Sequence, residues 1–339
     1  MKYKVCVVTV TYGDRFHLLK QVIDASFNEG VNKIIVVDNG SSKNSRNQLK
    51  DYERKSGNKL KVIYLDENTG SAGGYKIGLE EAYKCEDCEF IWLLDDDNKP
   101  MDGSLKILLD FWSSLESENK QEKIALLSYR FKKGQLAKEA IIRNQPELVL
   151  GLKNSFLGFH IKELHKKIYR YLKRRFKPTN DRVEVEKEDD KKYGIVPVAP
   201  YGGLFIHKNI LNKIGYPNED FYLYADDHEW SYRITKNGGK IYLILDSKID
   251  DLELSWHVPK STKQTAFSII SKGNPYRVYY SVRNRVFFEI TNLVDNKMIY
   301  WINVFVYLLL ISFSSTKNIK LIIKAVKDDY KRNLGKVDI

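Results

Sequence analysis

Cysteine, glycine and proline are scarce in this chain of 339 residues. Three cysteines are too few for a disulfide framework, so we expect the protein to work in a reducing compartment. With 20 glycines and 8 prolines, the chain is neither collagen-like nor of low complexity. No signal peptide is evident, because the first residues lead into a short apolar run typical of a strand. Hydrophobic residues at 43% and charged residues at 29% instead predict a folded globular protein.

Two common phosphate-binding patterns are also missing. No glycine-rich loop ends in Gly-Lys followed by Ser or Thr, and no spaced glycine fingerprint follows the first predicted strand. Cys85 and Cys88 form one Cys-x-x-Cys pair, but the sequence offers no two further ligands nearby to complete a zinc site. The sequence therefore gives little support to a P-loop or a zinc module.

The net charge of +12 is concentrated in two segments. Residues 1–150 are balanced and residues 194–260 carry a net charge of −2, whereas residues 151–193 carry +6 and residues 261–339 carry +8. Such an excess suits either nucleic acid or an anionic membrane. The choice between these partners depends on the apolar residues that accompany the charge.

Strands and helices alternate in the first part of the chain, which predicts crossover units and a mostly parallel sheet flanked by helices. The predicted strands are 4–10, 33–38, 60–65 and 89–94, and the predicted helices between them are 16–28 and 72–84. Ligands bind beyond the carboxyl ends of such strands. Polar residues occupy all four of these ends, at 11–14, 38–41, 66–70 and 95–98.

Regular elements continue beyond this region. A helix is predicted at 101–116 and a strand at 124–130, and a strand pair follows the break at residues 195–207. The remaining predictions are helices at 208–214 and 226–236, strands at 239–246 and 251–256, and tail helices at about 275–293, 298–314 and 317–332.

Three consecutive carboxylates, Asp95, Asp96 and Asp97, follow the fourth strand. Alternate side chains at a strand end point the same way, so Asp95 and Asp97 can share one ligand. Mg²⁺ or Mn²⁺ accepts carboxylate and diphosphate oxygens together and would relieve the repulsion between the carboxylates. The alternative is a solvated acidic loop.

Two other strand ends hold candidate nucleotide contacts. Asp38 can accept hydrogen bonds from a ribose or a base, or it can simply start a turn. Residues 68–74 open a helix with small side chains, so their backbone amides can approach a phosphate. The alternative for this segment is an ordinary helix entry.

An acidic helix start and a later histidine complete the candidates. Asp227 is the predicted general base for a hydroxyl nucleophile, with Asp226 or Glu229 holding the acceptor, although acids at a helix start also serve as caps. His257 follows a predicted strand end. It is either a structural histidine or a third metal ligand.

In combination, these motifs resemble the inverting glycosyltransferases of family 2, which have the GT-A fold. The matching segments cover roughly residues 1–150 and 195–258, and they are 7–15, 34–42, 68–74, 92–98, 202–206 and 220–230. The Asp-Asp-Asp triplet, the Asp-Asp-x-Glu helix start and the later Trp-His most resemble the branch of galactofuranosyl- and rhamnosyltransferase-like enzymes.

The resemblance implies a role for each candidate. Asp227 would be the base, with Asp226 and Glu229 beside it, and Asp95, Asp97 and His257 would bind Mn²⁺ or Mg²⁺. The implied nucleotide-sugar site consists of Thr9, Thr11, Tyr12, Asp38, Asn68, Gly70, Gly74, Asp95, Asp96 and Arg283.

The predicted function is inverting sugar transfer from a UDP- or dTDP-linked donor to a lipid-linked or cell-surface glycan. The resemblance favours galactofuranose, with rhamnose or galactopyranose as alternatives. A sugar nucleotidyltransferase should carry a glycine-rich, arginine-containing loop after the first strand, and an aspartyl phosphatase should carry Asp-x-Asp there; neither pattern is present. The alternatives are a catalytically inactive membrane-bound scaffold of a glycan-assembly complex and, despite the missing loop, a sugar nucleotidyltransferase.

Two segments, 160–177 and 317–332, combine apolar and basic residues, and the segment 298–314 is strongly apolar. Residues 160–177 have the pattern of an interfacial amphipathic helix, and the run 298–314 is marginally short for a membrane span. We therefore expect an anionic membrane partner rather than nucleic acid, and a peripheral or C-terminally anchored enzyme on the cytoplasmic side of the membrane.

The predicted organisation has two parts. A catalytic GT-A domain spans residues 1–258, and a helical, membrane-associating C-terminal region spans 259–339. Within the first part we predict a nucleotide-sugar half at 1–130, a basic helical insert at 153–193 and an acceptor half at 195–258.

Overall fold

The computed structural model describes residues 3–164, 191–253, 270, 273–314 and 317–337. The chain forms two compact units. The first comprises residues 1–149, 192–258 and 334–338, and the second comprises 150–191, 259–333 and the last residue. His257 and most of the predicted amphipathic helix 160–177 lie outside the described residues.

The first unit contains a nine-stranded sheet with helices packed on it. Its strands are β1 (Val5–Gly13), β2 (Lys33–Ser41), β3 (Leu60–Leu65), β4 (Phe90–Leu93), β5 (Asn98–Pro100), β6 (Ile124–Arg130), β7 (Tyr193–Val196), β8 (Leu204–His207) and β9 (Lys240–Asp251). Its α-helices within the described residues are α1 (Phe16–Asn28), α2 (Lys43–Ser56), α3 (Gly70–Lys84), α4 (Ser104–Ser114), α5 (Lys120–Lys123), α6 (Gln135–Ile142), α7 (Glu147–Leu150, whose last residue falls in the second unit), α8 (Leu211–Ile214) and α9 (Asp226–Lys236).

The strand order is β3-β2-β1-β4-β8-β6-β9-β5, and β7 pairs with β9. The first four strands in this order are parallel, and β6 is parallel to β9. The α/β fold is therefore confirmed. The sheet as a whole is mixed, because β8 runs antiparallel between β4 and β6, and β5 and β7 run antiparallel to β9.

Side-chain alternation divides the core between the two faces of the sheet. Ile35 and Val37 belong to one buried cluster, together with one aromatic residue of α3 (Tyr75) and one of α9 (Trp230). Ile34 and Val36 belong to the other buried cluster. Apolar residues on both faces of β1 and β2 explain their continuous apolar runs, which are typical of parallel strands covered by helices.

Helix α2 and strand β9 are among the elements that differ from the sequence prediction. Helix α2 was not predicted, because it buries only Ser45 and Leu49 and so lacks an apolar periodicity; Ser42 caps its start by accepting a hydrogen bond from the Ser45 amide. Strand β9 extends five residues beyond the predicted strand 239–246; of the second predicted strand, 251–256, residues 252–253 are not strand and 254–256 lie outside the described residues. The register of β9 with β6 shifts between Ile244 and Lys248, where the Ser247 hydroxyl meets the Ser128 hydroxyl at 2.8 Å.

The second unit contains helices α10 (Pro275–Asn292), α11 (Lys297–Ser314) and α12 (Ile319–Tyr330), together with residues 150–164. Asn274 caps α10, and Pro275 occupies its first turn, where no amide donor is needed. None of the helices within the described ranges is long and apolar enough to cross a lipid bilayer.

Candidate active site

The carboxyl ends of β1, β2, β4 and β6 lie at one edge of the sheet. Of the predicted site residues, Thr11, Tyr12 and Asp38 lie near the ends of β1 and β2, and the acidic triplet follows β4. The acidic triplet forms a tight loop after β4, closed by a hydrogen bond from the Asn98 amide to the Asp95 carbonyl at 2.9 Å. The three carboxylates of this loop differ in burial and in their hydrogen-bond partners, so they can have different functions.

Asp96 is buried and bound on both carboxylate oxygens. Arg15 donates to them from Nε and from one terminal nitrogen, each at 2.8 Å, and the Thr11 hydroxyl donates at 2.9 Å. Burial raises the pKa of Asp96 even though Arg15 opposes the shift. Asp96, which follows β4, is therefore hydrogen-bonded to Thr11 near the end of β1 and to Arg15 just beyond that strand.

Asp95 is the most open carboxylate of the three, with 35% of its side chain exposed. The Tyr75 hydroxyl donates to one oxygen at 2.8 Å, and Arg130 lies 3.3 Å from the other. Asp95 can therefore meet a ligand while α3 and β6 hold its orientation.

Asp97 belongs to a group of charges that the sequence analysis did not identify. Its carboxylate lies 3.4 Å from Lys133, and Lys133 lies 3.1 Å from Asp251, a buried acid at the end of β9. Arg130 donates to the same Asp251 oxygen from two nitrogens, at 2.8 and 2.5 Å. The acidic loop is thus held by ion pairs with Arg130 and Lys133, and both of these residues also bind Asp251.

A divalent cation suits the chemistry of Asp95 and Asp97. Burial, and then the charge of Asp95, raise the pKa of Asp97 to about 6, so a cation would relieve this crowding. Within the described ranges, however, no three His, Cys, Asp or Glu side chains are grouped so as to hold a metal ion. The two carboxylates are thus an incomplete ligand set, and the third predicted ligand, His257, lies outside the described residues.

Of the residues predicted on β1, Tyr12 is the exposed one. It has 45% of its surface open, and the Arg15 guanidinium lies 5.3 Å from its ring centroid. Thr9 is buried, and its hydroxyl has no hydrogen-bond partner among the residues that the structure describes. Tyr12 is therefore the β1 side chain best placed to contact a ligand.

Asp38 is completely buried at the end of β2. Its carboxylate accepts from the Ser41 amide at 2.9 Å and from Arg46 at 2.6 Å. The Arg46 guanidinium also lies 5.7 Å from the centroid of the Tyr64 ring. In this structure Asp38 orients Arg46 and the turn after β2, and its predicted contact with a nucleotide stays a prediction.

The loop before α3 is held by Asn39, another residue that the sequence analysis missed. Its side-chain oxygen accepts from the Thr69 amide at 2.8 Å, and its amide group donates to the Gly70 carbonyl at 2.9 Å. The Asn68 side chain accepts from the Gly70 amide at 2.8 Å. Asn68 thus shapes this turn, and its predicted contact with the donor is not tested.

The two predicted glycines in the first turns of α3 are required by close packing. Gly70 has a φ of +76°, and a Cβ atom there would lie 1.8 Å from the Tyr222 carbonyl oxygen. At Gly74 a Cβ atom would lie 2.6 Å from a Val10 methyl group. Gly74 therefore lets α3 approach β1, which is a sufficient reason for glycine at this position.

The predicted base region begins with a strained turn. Tyr222, Tyr224 and Ala225 all have positive φ angles, of 62°, 67° and 59°. Non-glycine residues seldom adopt this conformation, and runs of such residues occur at sites where the surrounding structure imposes them. The turn ends at α9, whose first two residues are Asp226 and Asp227.

Asp226 and Asp227 differ in burial. Asp226 is buried and accepts a hydrogen bond from the Ser71 hydroxyl at 2.8 Å. Burial, followed by the charge of Asp227, raises the pKa of Asp226 to about 8. Asp227 is half-buried, and the His228 amide donates to it at 2.8 Å. Because burial disfavours the charged form of Asp226, Asp227 is the better base of the pair.

Glu229 is bound to Arg233 through two hydrogen bonds, at 2.9 and 2.6 Å. Arg233 also donates to the carbonyls of Ile214 and Tyr216, at 3.0 and 2.9 Å. This ion pair ties α9 to the segment that follows α8. The structure thus gives Glu229 a packing role, and its predicted contact with the acceptor is untested.

Arg283 belongs to the second unit, where it is buried on α10. Its Nε donates to the Asn284 side chain at 2.9 Å, and its guanidinium lies 4.8 Å from the centroid of the Tyr280 ring. The predicted role of Arg283 in binding the donor stays a prediction.

A family model and solved structures provide independent comparisons. Residues 6–119 match the family model described as glycosyl transferase family 2. No curated protein matches the chain in sequence. The crystal structure of GalNAc-T7 with UDP, GalNAc and Mn²⁺ aligns with 97% of this chain, at 13% identity and a TM-score of 0.53. The alignment covers 57% of GalNAc-T7, so this chain spans little more than half of that length.

Two further structures are similar at lower TM-scores. Residues 1–349 of TarS from S. aureus align with 97% of this chain and 92% of their own length, at 12% identity and a TM-score of 0.47. The mannosyltransferase PcManGT from Pyrobaculum calidifontis, solved with GDP-Man and Mn²⁺, aligns with 96% of this chain and 87% of its own, at 13% identity and a TM-score of 0.49.

The family match spans β1 to β5, and therefore the acidic loop and the ends of β1 and β2. The similarity to GalNAc-T7 concerns the fold. The mixed α/β sheet is consistent with a GT-A-type fold, and the similarity to glycosyl transferase family 2 concerns residues 6–119.

Proposed function

We propose that the protein transfers a sugar from a nucleoside-diphosphate donor to an acceptor hydroxyl, with inversion at the anomeric carbon. One observation carries this proposal. Helix α3 binds Asp226 through Ser71 and Asp95 through Tyr75, with distances of 2.8 Å in both hydrogen bonds. Ser71 and Tyr75 are one helical turn apart, which is about 6 Å along the axis. One helix thus orients both Asp95, which is proposed to bind the donor, and Asp226, the neighbour of the proposed base.

Asp227 acts as the general base in this proposal. It takes the proton of the acceptor hydroxyl while that oxygen forms a bond to the anomeric carbon. The bond from the same carbon to the diphosphate oxygen breaks, and the nucleoside diphosphate leaves with the electron pair. Displacement from the face opposite the leaving group inverts the configuration, so no covalent enzyme intermediate is required.

Asp95 and Asp97, with His257, are the residues proposed to hold Mn²⁺ or Mg²⁺. A bound divalent cation would stabilise the negative charge that develops on the leaving diphosphate. Arg15 and Arg130 support this role because they orient the carboxylates of the acidic loop.

The donor and the acceptor are proposed at a finer level from the sequence. The resemblance of the acidic triplet and of the start of α9 to the galactofuranosyltransferase-like branch favours UDP-galactofuranose, with UDP-galactose and dTDP-rhamnose as the alternatives. We propose a lipid-linked glycan as the acceptor, on the cytoplasmic side of the membrane, because the basic and apolar residues occur together in the C-terminal region.

Release of nucleoside diphosphate tests this proposal. The purified protein is incubated with Mn²⁺ and each of the three donors, with and without a lipid-like acceptor. We expect release from one donor, loss of that release in Asp227→Asn, and retained donor binding by calorimetry in the variant. Asp102→Asn is the matched control, because Asp102 is exposed on a loop outside the site.

Other outcomes would contradict the proposal. If no donor is bound or cleaved, a scaffold function becomes the better explanation. If the protein instead forms a nucleotide sugar from a sugar phosphate and a nucleoside triphosphate, it is a nucleotidyltransferase. Unchanged turnover in Asp227→Asn would remove Asp227 as the base.

A further inference from the structure

Helix α11 in the second unit has two apolar faces, of which only one is buried. The buried face packs within the unit and consists of Tyr300, Asn303, Val304, Tyr307 and Ile311. The opposite face exposes large apolar side chains, with Phe305 at 67% and Phe313 at 82% exposure. We call this face the α11 apolar surface; its residues are Met298, Trp301, Ile302, Phe305, Leu309 and Phe313.

The spacing of these residues produces one continuous stripe. Steps of three and four residues place side chains above one another on a helix, and the α11 apolar surface follows such steps from Met298 to Phe313. At a rise of about 1.5 Å per residue, the stripe is about 22 Å long. A stripe of this size on an exposed helix marks an interaction surface.

Polar contacts on the buried face determine the rotation of α11. The Asn303 side chain accepts from the Ile161 amide at 2.9 Å and donates to the Asn154 carbonyl at 2.7 Å. The Tyr300 hydroxyl lies 3.2 Å from Glu289, a buried acid on α10. Because these groups hold one face inside the protein, α11 presents the other face permanently.

Exposed aromatic and basic residues also occur on α12 and near the two ends of α11. The Trp301 ring lies 6.2 Å from the ring of Tyr330, which is itself 74% exposed at the end of α12. Lys297 and Lys317 are exposed at the two ends of the helix. Helix α12 and the residue after it add four exposed lysines at helical spacing: Lys320, Lys324, Lys327 and Lys331.

We propose that the α11 apolar surface lies in the interface of an anionic lipid membrane, with α11 parallel to the membrane plane. Large apolar side chains would enter the acyl boundary, Trp301 and Tyr330 would lie at the headgroup level, and the lysines would face anionic headgroups. The packed face of α11 prevents lipid from surrounding the helix. This proposal does not depend on the transfer reaction.

Charge favours a membrane over a second copy of the chain. Residues 261–339 carry 13 basic and 5 acidic residues, so two copies joined through this region would bring together net charges of +8. An anionic bilayer instead complements this charge, at about 1 kcal/mol for each nearby basic residue. Apolar burial and electrostatic attraction therefore act together on a membrane and oppose each other in a dimer.

Vesicle sedimentation of the full chain tests the proposal. We expect the wild-type protein to bind vesicles of phosphatidylcholine with phosphatidylglycerol more tightly than vesicles of phosphatidylcholine alone. The double variant Phe305→Glu, Phe313→Glu should lower the partition coefficient by about tenfold or more. Leu136→Glu is the matched control, since Leu136 is an apolar residue with 50% exposure on α6 of the first unit. The control should bind as the wild type does.

A second measurement uses the wild-type chain and does not depend on the folding of the double variant. Brominated lipids should quench Trp301, and Trp301→Phe should remove that part of the quenching. Reversal of charge in Lys320→Glu, Lys327→Glu should weaken binding to anionic vesicles and reduce its dependence on salt.

Three results would overturn the proposal: no wild-type binding to either vesicle, equal binding by the folded double variant, or no quenching of Trp301. Light scattering without vesicles tests whether a second copy of the chain covers the α11 apolar surface instead. If the wild type is a dimer and the double variant a monomer, the surface joins two copies. Donor cleavage measured in solution is a separate readout, so failure of the membrane proposal would leave the proposed activity standing.

Discussion

At the scale of single residues, identical carboxylates have different roles because their surroundings differ. Asp96 is bound by Arg15, whereas Asp95 is open to solvent. Asp226 is buried beside Ser71, whereas Asp227 is half-buried. The sequence identified all four acids from their positions after a strand or at a helix start. It named Asp227 as the base but could not give the physical difference between neighbouring acids, because the partners Arg15 and Ser71 are brought to them by the fold.

Burial of Asp226 predicts a pH-dependent stability. The pKa of Asp226 is raised to about 8 by burial and by Asp227, so the folded protein retains a proton that the unfolded chain has released above its ordinary value of 3.8. The free energy of unfolding should therefore fall as pH rises across this window, and Asp226→Asn should reduce that fall, to which the raised pKa values of Asp97 and Asp329 also contribute. Thermal unfolding at about pH 5 and about pH 8 measures the difference.

Asp102→Asn is the control for this measurement, since Asp102 is exposed and should retain the wild-type pH dependence. If Asp226→Asn loses stability between the two pH values as steeply as the wild type, Asp226 does not carry a proton in the folded protein.

At the scale of elements, α3 connects the two acidic groups of the site. The sequence predicted this helix from residue 72, and the structure begins it at Gly70. Its glycines were interpreted as space for a phosphate, but two of them provide space for the protein itself. A glycine in such a pattern indicates that another group lies close to the backbone, and only the three-dimensional structure shows which group it is.

Gly70→Ala should affect both stability and activity. The new Cβ would overlap the Tyr222 carbonyl and occupy a φ of +76°, so we expect a loss of about 2–5 kcal/mol. The turn that leads into Asp227 should also shift, which lowers turnover more than donor affinity. Chemical denaturation and donor calorimetry measure these effects.

Gly103→Ala separates the backbone cost from the overlap. Gly103 has a φ of +80°, and a Cβ atom added there would meet no atom within 4 Å among the described residues, so its loss should be only about 1–2 kcal/mol. Equal losses in the two variants would show that the Tyr222 turn is not held by contact with Gly70.

At the scale of the whole molecule, the site depends on contacts between segments that are distant in sequence. The order of strands and helices was largely predictable from periodicity, and β3, β6, α1 and α9 have the predicted bounds. The grouping of Arg130 with Asp95 and Asp251 was not predictable from the sequence, because it results from β9 pairing with both β5 and β6. Pattern analysis identifies each element but does not determine which ones become neighbours.

Arg130 therefore connects three parts of the first unit, and its removal should destabilise that unit as a whole. Arg130→Met leaves Asp251 buried without its closest partner, although Lys133 remains 3.1 Å away. We expect a loss of about 3 kcal/mol, since an uncompensated buried charge is costly. The double variant Arg130→Met, Asp251→Asn should recover much of this loss, because the buried charge itself is then gone.

Urea unfolding of both variants measures the coupling, with Arg54→Met as the control. Arg54 pairs with Asp51 on the surface of α2, where removal of an ion pair costs about 0–1 kcal/mol. Donor affinity adds a second readout: it should stay low in the stable double variant, because Asp95 has lost the contact with Arg130. If Arg130→Met lowers the free energy of unfolding no more than Arg54→Met does, the ion pairs of Arg130 with Asp95 and Asp251 do not hold the acidic loop to β9.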